Sequence, residues 1–99
     1  MKNVVKERTK LYNKALQKWG FNAQSIMLME ECAELIQAVS KLHRTGNPNA
    51  MYEEIADVQI MIEQIIEYYG EVAEDETVKH YEKKLKRLEE RLNEEKADI

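Results

Sequence analysis

The middle of the chain contains two apolar, helix-forming stretches, IMLMEECAELI at residues 26–36 and AMYEEIADVQIMI at residues 50–62. In both stretches apolar residues recur every three or four positions, which is the spacing of one face of an α-helix. Acidic residues interrupt both apolar faces at corresponding places. These two helices decide the fold, because each must bury its apolar face against a neighbouring element.

Four acidic residues lie on or beside the faces that these helices should bury. On a helical wheel, Glu31 lies within about 40° of apolar residues on either side, and Glu54 lies within about 60° of several others. Glu34 and Asp57 follow three residues later, at the margins of the same faces. Each central helix therefore carries an acidic i, i+3 pair where apolar residues are expected.

A buried cluster of carboxylates needs compensating charge. Two carboxylates about 5 Å apart repel by roughly 3 kcal/mol at an effective dielectric constant near 20, and burial adds a desolvation cost. Residues 21–70 contain eight acids and two bases, Lys41 and Arg44. Either some of the acids are protonated, or bases from the first or last helix pair with them, or the acids bind a hard divalent cation such as Mg²⁺ or Mn²⁺. The shortage of nearby bases favours the metal site.

The connection between the two helices decides whether one ion could bind all four acids. A hairpin symmetric about residue 46 or 47 places Glu34 nearly level with Asp57. It separates Glu31 from Glu54 by about 12 Å along the helix axis. An asymmetric connection, crossed helices, or two or three ions would each remove the conflict, and the sequence leaves these alternatives open.

Three glycines at positions 20, 46 and 70 divide the chain into four helical segments, because glycine commonly ends a helix. Asn22 is a candidate N-cap for the second helix, and Asn47 followed by Pro48 fits the start of the third. Short connections predict an all-α, antiparallel four-helix bundle that forms a single domain over residues 1–99. We expect its helices at roughly 3–19, 23–44, 48–69 and 76–95.

The last helix carries a narrow apolar stripe. Its members, spaced 3, 4, 3 and 4 residues apart, are Val78, Tyr81, Leu85, Leu88 and Leu92. Packing of this stripe onto its own bundle is the simpler interpretation, and a seam between two copies is the alternative. A chain of 99 residues buries a modest fraction of its surface, which also favours oligomerisation.

The composition excludes several classes of protein. One cysteine, Cys32, excludes an internal disulfide framework and a multi-cysteine zinc site. The longest apolar run, residues 26–29, is too short to cross a membrane or to form the core of a signal peptide, so we expect a cytoplasmic protein. The acidic middle segment would repel the phosphates of a nucleic-acid polymer. Neither His43 nor His80 completes the Glu-x-x-His pair of a di-iron bundle.

The acids also match a known sequence pattern. Residues 30–35 read EECAEL and residues 53–57 read EEIAD, which fit E-E-x-x-E-L followed by E-E-x-x-D. Trp19-Gly20, Gln24 and the stretch AVSKLHR at residues 38–44 accompany them. Together these features, spread over residues 16–69, resemble the MazG-like all-α nucleoside triphosphate pyrophosphohydrolases.

The resemblance implies an enzyme that cleaves a nucleoside triphosphate between its α and β phosphates, releasing a monophosphate and pyrophosphate. It implies that Glu31, Glu34, Glu54 and Asp57 bind Mg²⁺ and that Glu31 or Glu34 takes the proton of the attacking water. It also implies a homodimer or homotetramer. Phosphoribosyl-ATP pyrophosphohydrolases share the fold and the acidic pattern, but the histidine expected soon after the last acid is missing from residues 58–63.

Four further residues are candidates for contacts with the substrate. Lys41, two turns after Glu34 on nearly the same face, could hold a phosphate, and so could Arg44. Trp19 could stack on the nucleobase, and Gln24 could read a base edge. Their structural alternatives are solvated bases, core packing and a polar residue at a helix start. The competing function is a helical interaction module that dimerises through its last helix and uses the acids as a structural network.

Overall fold

Four α-helices make up the part of the chain that the computed structural model describes, which is the backbone of residues 5–97 and the side chains of residues 7–94. This part contains no strand, so the predicted all-α class is confirmed. The chain divides into two compact units, of which the first ends at Tyr69 and the second begins at Gly70. The helices are α1 (Val5–Trp19), α2 (Phe21–Thr45), α3 (Asn49–Tyr69) and α4 (Glu71–Ala97).

Glycine ends α1 and α2, as the sequence predicts. Gly46 has a φ of 73° and donates its backbone N–H to the carbonyl oxygen of Leu42 at 2.7 Å. Gly20, with a φ of 87°, turns the chain from α1 into α2 by itself. Because L-residues rarely adopt such angles, both positions require glycine for backbone reasons.

Two helices begin earlier than the sequence suggests. The residue that precedes α2 is Gly20, so Asn22 lies inside the helix and does not cap it. The α4 helix begins at Glu71 rather than near residue 76, with Glu71 and Glu74 in its first turn, where acidic side chains interact favourably with the helix dipole. The start of α3 follows the prediction more closely, because Asn47 Oδ1 accepts the backbone N–H of Asn49 at 3.0 Å.

The core of the first unit lies between α2 and α3, with α1 packed mainly against α3. Phe21 at the start of α2 contacts the rings of Tyr68 and Tyr69 at the end of α3, with centroid distances of 4.4 and 5.5 Å. The buried apolar side chains of the described part have exposed fractions of 7–8% and are Tyr12, Ala38, Val58 and Met61.

Polar contacts fix α1 on α3. The Tyr12 hydroxyl donates a hydrogen bond to Glu63 Oε1 at 2.9 Å, and Arg8 Nη1 lies 3.5 Å from the same oxygen. One turn further along α3, Glu67 accepts a hydrogen bond from Asn13 at 3.3 Å. Burial and the neighbouring Glu63 carboxylate raise the pKa of the Tyr12 hydroxyl. Tyr12 therefore remains a neutral donor at neutral pH and anchors the helix.

The second unit is the helix α4, which from residue 76 to residue 94 is polar except for one stripe. The stripe residues from Val78 to Leu92 keep between 49% and 65% of their surface exposed. Lys79 and Glu76 form an exposed ion pair at 3.4 Å within the helix. Among the described helices, none combines the length and the apolar character needed to cross a membrane.

Candidate metal centre

Three acidic side chains converge between the two central helices. Glu31 comes from α2, and Glu54 and Asp57 come from α3. Each contributes one carboxylate oxygen to a group in which all three oxygens lie within 4.8 Å of one another. Glu31 and Glu54 are half-buried, whereas Asp57 is exposed. The helical spacing of three residues puts Glu54 and Asp57 on one face of α3, and that face meets α2 at Glu31.

The convergence depends on how α2 and α3 align. A hairpin symmetric about residue 47 would place Glu31 level with Glu63, yet Glu31 meets Glu54 and Asp57. The same offset brings Gln24 of α2 to Gln64 of α3. The offset is about six residues, or roughly 9 Å along the helix axis. An asymmetric alignment therefore removes the separation that a symmetric connection would impose on Glu31 and Glu54.

Two oxygens of the cluster are buried without a protein partner. Glu31 Oε2 and Glu54 Oε2 are both inaccessible to solvent, and neither accepts a hydrogen bond from the described residues. A buried acceptor that lacks a donor is costly, and a buried carboxylate more so. These oxygens require either a proton or a cation beside them.

The electrostatics of the cluster favour protonation in the absence of a cation. Burial raises the pKa of Glu54 to about 7, with further increases from the charge of Glu34 and from Glu31 and Asp57. Burial likewise raises the pKa of Glu31, with added repulsion from Glu34 and Asp57. Near neutral pH, Glu54 is therefore partly protonated when no cation is bound.

The donor set fits a hard divalent cation. All three converging groups are carboxylates, and oxygen-only sites suit Mg²⁺, Mn²⁺ and Ca²⁺ rather than softer metals. A cation beside Glu31 Oε2 and Glu54 Oε2 would remove both the missing hydrogen-bond partners and the mutual repulsion. Glu31, Glu54 and Asp57 are therefore the residues that could hold the metal.

A recess of about 430 Å³ opens beside this cluster, and acids and bases line it together. Glu34 and Glu54 lie on its wall with Lys41 and Arg44. Glu34 is exposed and lies outside the group of three converging oxygens, but its charge acts on both Glu31 and Glu54. The Arg44 guanidinium also donates to Ser40 Oγ at 2.8 Å. The structure thus brings both predicted phosphate ligands close to predicted metal ligands.

The other two predicted substrate contacts lie elsewhere in the first unit. Trp19 is 58% exposed and lines a separate groove between α1 and α3, with Lys18 Nζ 5.4 Å from its ring centroid. Gln24 is only 6% exposed, and its Nε2 donates to Gln64 Oε1 at 2.7 Å. Neither residue lines the recess beside the acids.

The buried amide pair should behave as a structural unit. We expect Gln64→Leu to destabilise the chain by about 1–3 kcal/mol, because it leaves the Gln24 donor buried without an acceptor. The double variant Gln24→Leu with Gln64→Leu should recover most of that loss, since both partners become apolar. Urea unfolding of the two single variants and the double variant measures the coupling. Additive losses would show that the two amides do not depend on each other.

One polar residue of the recess, Gln37, was not predicted from the sequence. Gln37 lines it beside Glu34 and Lys41. The indication was present in the spacing, because Gln37 follows Glu34 by three residues and precedes Lys41 by four, so that all three share one face of α2. Its amide can both donate to and accept from a ligand.

Comparisons of this chain with protein-family models, with curated proteins and with solved structures find no match. The resemblance to MazG-like enzymes therefore stays a prediction from the acidic motifs. The functional interpretation rests on the carboxylate cluster and on the recess beside it.

Proposed function

We propose that this chain is a divalent-metal-dependent nucleotide pyrophosphohydrolase of the MazG-like kind, which converts a nucleoside triphosphate to its monophosphate and pyrophosphate. The observation that carries the proposal is the pair of buried oxygens, Glu31 Oε2 and Glu54 Oε2, which accept no hydrogen bond from the part of the chain that the structure describes, with Asp57 beside them. A purely structural network would be expected to pair such atoms with donors.

The recess adds a reason to connect the metal with a polyphosphate. Its wall combines Glu34 and Glu54 with the cationic side chains of Lys41 and Arg44. Carboxylates favour the cation, and the two bases favour the anionic oxygens that the cation would accompany. A metal–triphosphate complex has both kinds of charge within a few ångströms, so the mixed lining suits it better than it suits a free anion.

The residues of the site take distinct roles in this proposal. Glu31, Glu54 and Asp57 hold Mg²⁺ or Mn²⁺, with Glu34 as the fourth ligand. When bound, the cation neutralises charge on the phosphate oxygens and lowers the pKa of a water. Glu34, the exposed acid at the recess, is the candidate to accept a proton from that water, with Glu31 as the alternative.

Lys41 and Arg44 would orient the phosphates in the recess. Gln37 lies between Glu34 and Lys41 on the same helix face and could donate its amide to a phosphate or sugar oxygen. Trp19 stays a candidate base-stacking residue. Because it lines a different groove, it would serve the substrate of this recess only from a second copy of the chain. Gln24 is a weaker candidate, because its amide is committed to Gln64.

The complete fold proposed for such an enzyme is an antiparallel four-helix bundle that oligomerisation completes, as a homodimer or homotetramer in the cytoplasm. The small apolar core of the first unit supports this proposal. Many large apolar side chains outside this core stay exposed, among them Met29 and Ile36 at 70% and 71%. Covering such side chains with a second copy would stabilise the chain.

A nucleotide panel tests the proposed activity. We expect the purified chain with Mg²⁺ or Mn²⁺ to convert at least one nucleoside or deoxynucleoside triphosphate to monophosphate and pyrophosphate, as measured by chromatography of the products. Release of a nucleoside diphosphate and orthophosphate would show cleavage between the β and γ phosphates, which contradicts the proposed reaction. No turnover of any nucleotide with either metal would contradict the proposal.

The helical interaction module remains the alternative, in which the acids form a structural network without catalysis. The exposed stripe of α4 is the observation that favours it. The two functions differ in their response to metal: a catalytic centre gains stability from Mg²⁺, because the ion binds only the folded chain, whereas a self-sufficient network does not. A chain that neither turns over nucleotides nor gains stability from Mg²⁺ would be such a module.

A further inference from the structure

The apolar stripe of α4 is unusually narrow. Between residues 76 and 94 the apolar residues are separated alternately by three and four positions. They therefore fall only at the a and d positions of a heptad repeat. Val78, Leu85 and Leu92 take position a, and Tyr81 and Leu88 take position d. A helix that packs on a globular core usually adds apolar residues at e or g, whereas a strict a/d stripe is typical of a coiled-coil seam.

The stripe is exposed to solvent along its length. Leu85, Leu88 and Leu92 have 50%, 53% and 52% of their surface accessible, and Tyr81 has 65%. Exposed apolar side chains in a continuous row mark an interaction surface more often than isolated ones do. The second unit consists of α4 alone in the described residues, so it has no other element of its own to cover the stripe.

The charges beside the seam identify the partner and its direction. Position e holds Glu82 and Glu89, and position g holds Lys84 and Arg91. In a parallel pair, a g residue faces the e residue of the next heptad in the partner, which sets Lys84 against Glu89 of the other copy, twice by symmetry. In an antiparallel pair, like positions face each other, and Lys84 would meet basic side chains. In the parallel pair, Arg91 would face Lys96, which lies past the last stripe residue, Leu92. Within the stripe itself, the charges are therefore complementary in the parallel direction and repulsive in the antiparallel one.

We propose that α4 is a homodimerisation element that forms a two-stranded, parallel coiled coil with the α4 helix of a second copy. Charged residues at both e and g favour two strands, because higher oligomers bury those positions. The proposal goes beyond the hydrolase function and does not depend on it. A catalytically inactive chain would dimerise in the same way.

Sedimentation equilibrium of the full chain and of charge-reversal variants tests the proposal. Lys84→Glu should weaken dimerisation about tenfold, because two attractive pairs become repulsive. Glu89→Lys should do the same. The double variant, Lys84→Glu with Glu89→Lys, should restore the affinity of the original chain, since the pairs are attractive again. In about 1 M NaCl these differences should shrink, because exposed charges are screened.

Two matched substitutions on the outer face of α4 serve as controls. Lys83→Glu and Glu90→Lys change the charge equally at the f positions, and neither should alter dimerisation. A tighter dimer for Lys84→Glu would indicate antiparallel helices and overturn the proposal. So would an unchanged affinity in the Lys84 and Glu89 variants, which would place the dimer contact on another surface. A chain that stays monomeric at several hundred micromolar, with its seam covered by its own first unit, would also overturn it.

Discussion

Replacing Glu54 with glutamine should abolish nucleotide hydrolysis and, at the same time, stabilise the chain in the absence of metal. The Glu54→Gln variant loses a ligand charge from the cluster, so we expect turnover to fall at least about 100-fold. Its amide nitrogen can donate a hydrogen bond to Glu31 Oε2, which accepts none from the described residues of the native chain. The substitution also removes one member of a mutually repelling set of carboxylates. Initial-rate assays and urea unfolding in EDTA measure the two effects.

The neighbouring Glu53 supplies the matched control. It is exposed and lies one residue away on α3, so Glu53→Gln makes the same chemical change outside the cluster. We expect its activity and its stability to stay within about twofold and about 0.5 kcal/mol of the original. If Glu54→Gln remained active, Glu54 would not belong to the catalytic centre. If it lost both activity and stability, Glu54 would act as a packing residue instead.

Without divalent cations, the free energy of unfolding should fall as the pH rises from about 4.5 to about 7. The pKa of Glu54 is about 7 in the folded chain, against an ordinary value of 4.5. Between these values the folded chain binds more protons than the unfolded chain, so raising the pH favours unfolding. The contribution is complete below pH 4.5 and is lost above pH 7. Thermal unfolding in EDTA across this pH range measures the loss of stability. The difference in pH dependence between the original chain and Glu54→Gln gives the contribution of Glu54.

Mg²⁺ should reverse this loss above pH 7. At ten times its dissociation constant, the ion adds about 1.4 kcal/mol, which raises the melting temperature of a small domain by about 6–11 °C. At pH 5 the gain should be much smaller, because protons compete with the cation for the same carboxylates. Equal gains at both pH values would indicate that Mg²⁺ binds at a different site. No gain at pH 7.5 would argue against a metal centre at Glu31 and Glu54.

The helices could be predicted from the sequence better than their alignment could. Glycine marks the ends of α1 and α2 because the left-handed backbone angles at Gly20 and Gly46 exclude most other residues. Pattern alone did not show that α4 would begin directly after Gly70, since Val72 and Ala73 in its first turn do not continue the stripe that starts at Val78. The six-residue offset between α2 and α3 could not be predicted either, because it depends on how the side chains of both helices pack together.

The acidic cluster could be predicted because carboxylates on an apolar helix face are conspicuous. Glu31, Glu54 and Asp57 come together in space, although no sequence pattern distinguishes among the helix arrangements that permit this. Gln24 was harder to interpret. A buried glutamine needs a partner, but its partner Gln64 lies on another helix, and the spacing within one helix carries no information about it. Pairings between helices depend on tertiary packing that local periodicity does not encode.

The short joints between the helices limit how this chain could evolve new specificity. Within residues 5–97, one residue joins α1 to α2, three join α2 to α3, and one joins α3 to α4. Segments of that length cannot fold over a bound molecule as the closing loops of many enzymes do. Side chains on the helices, such as Gln37 and Lys41 of α2, or residues of another subunit must therefore select the ligand. These joints are too short to accept a grafted binding loop. New specificity would therefore come from substitutions on the face of α2 that lines the recess.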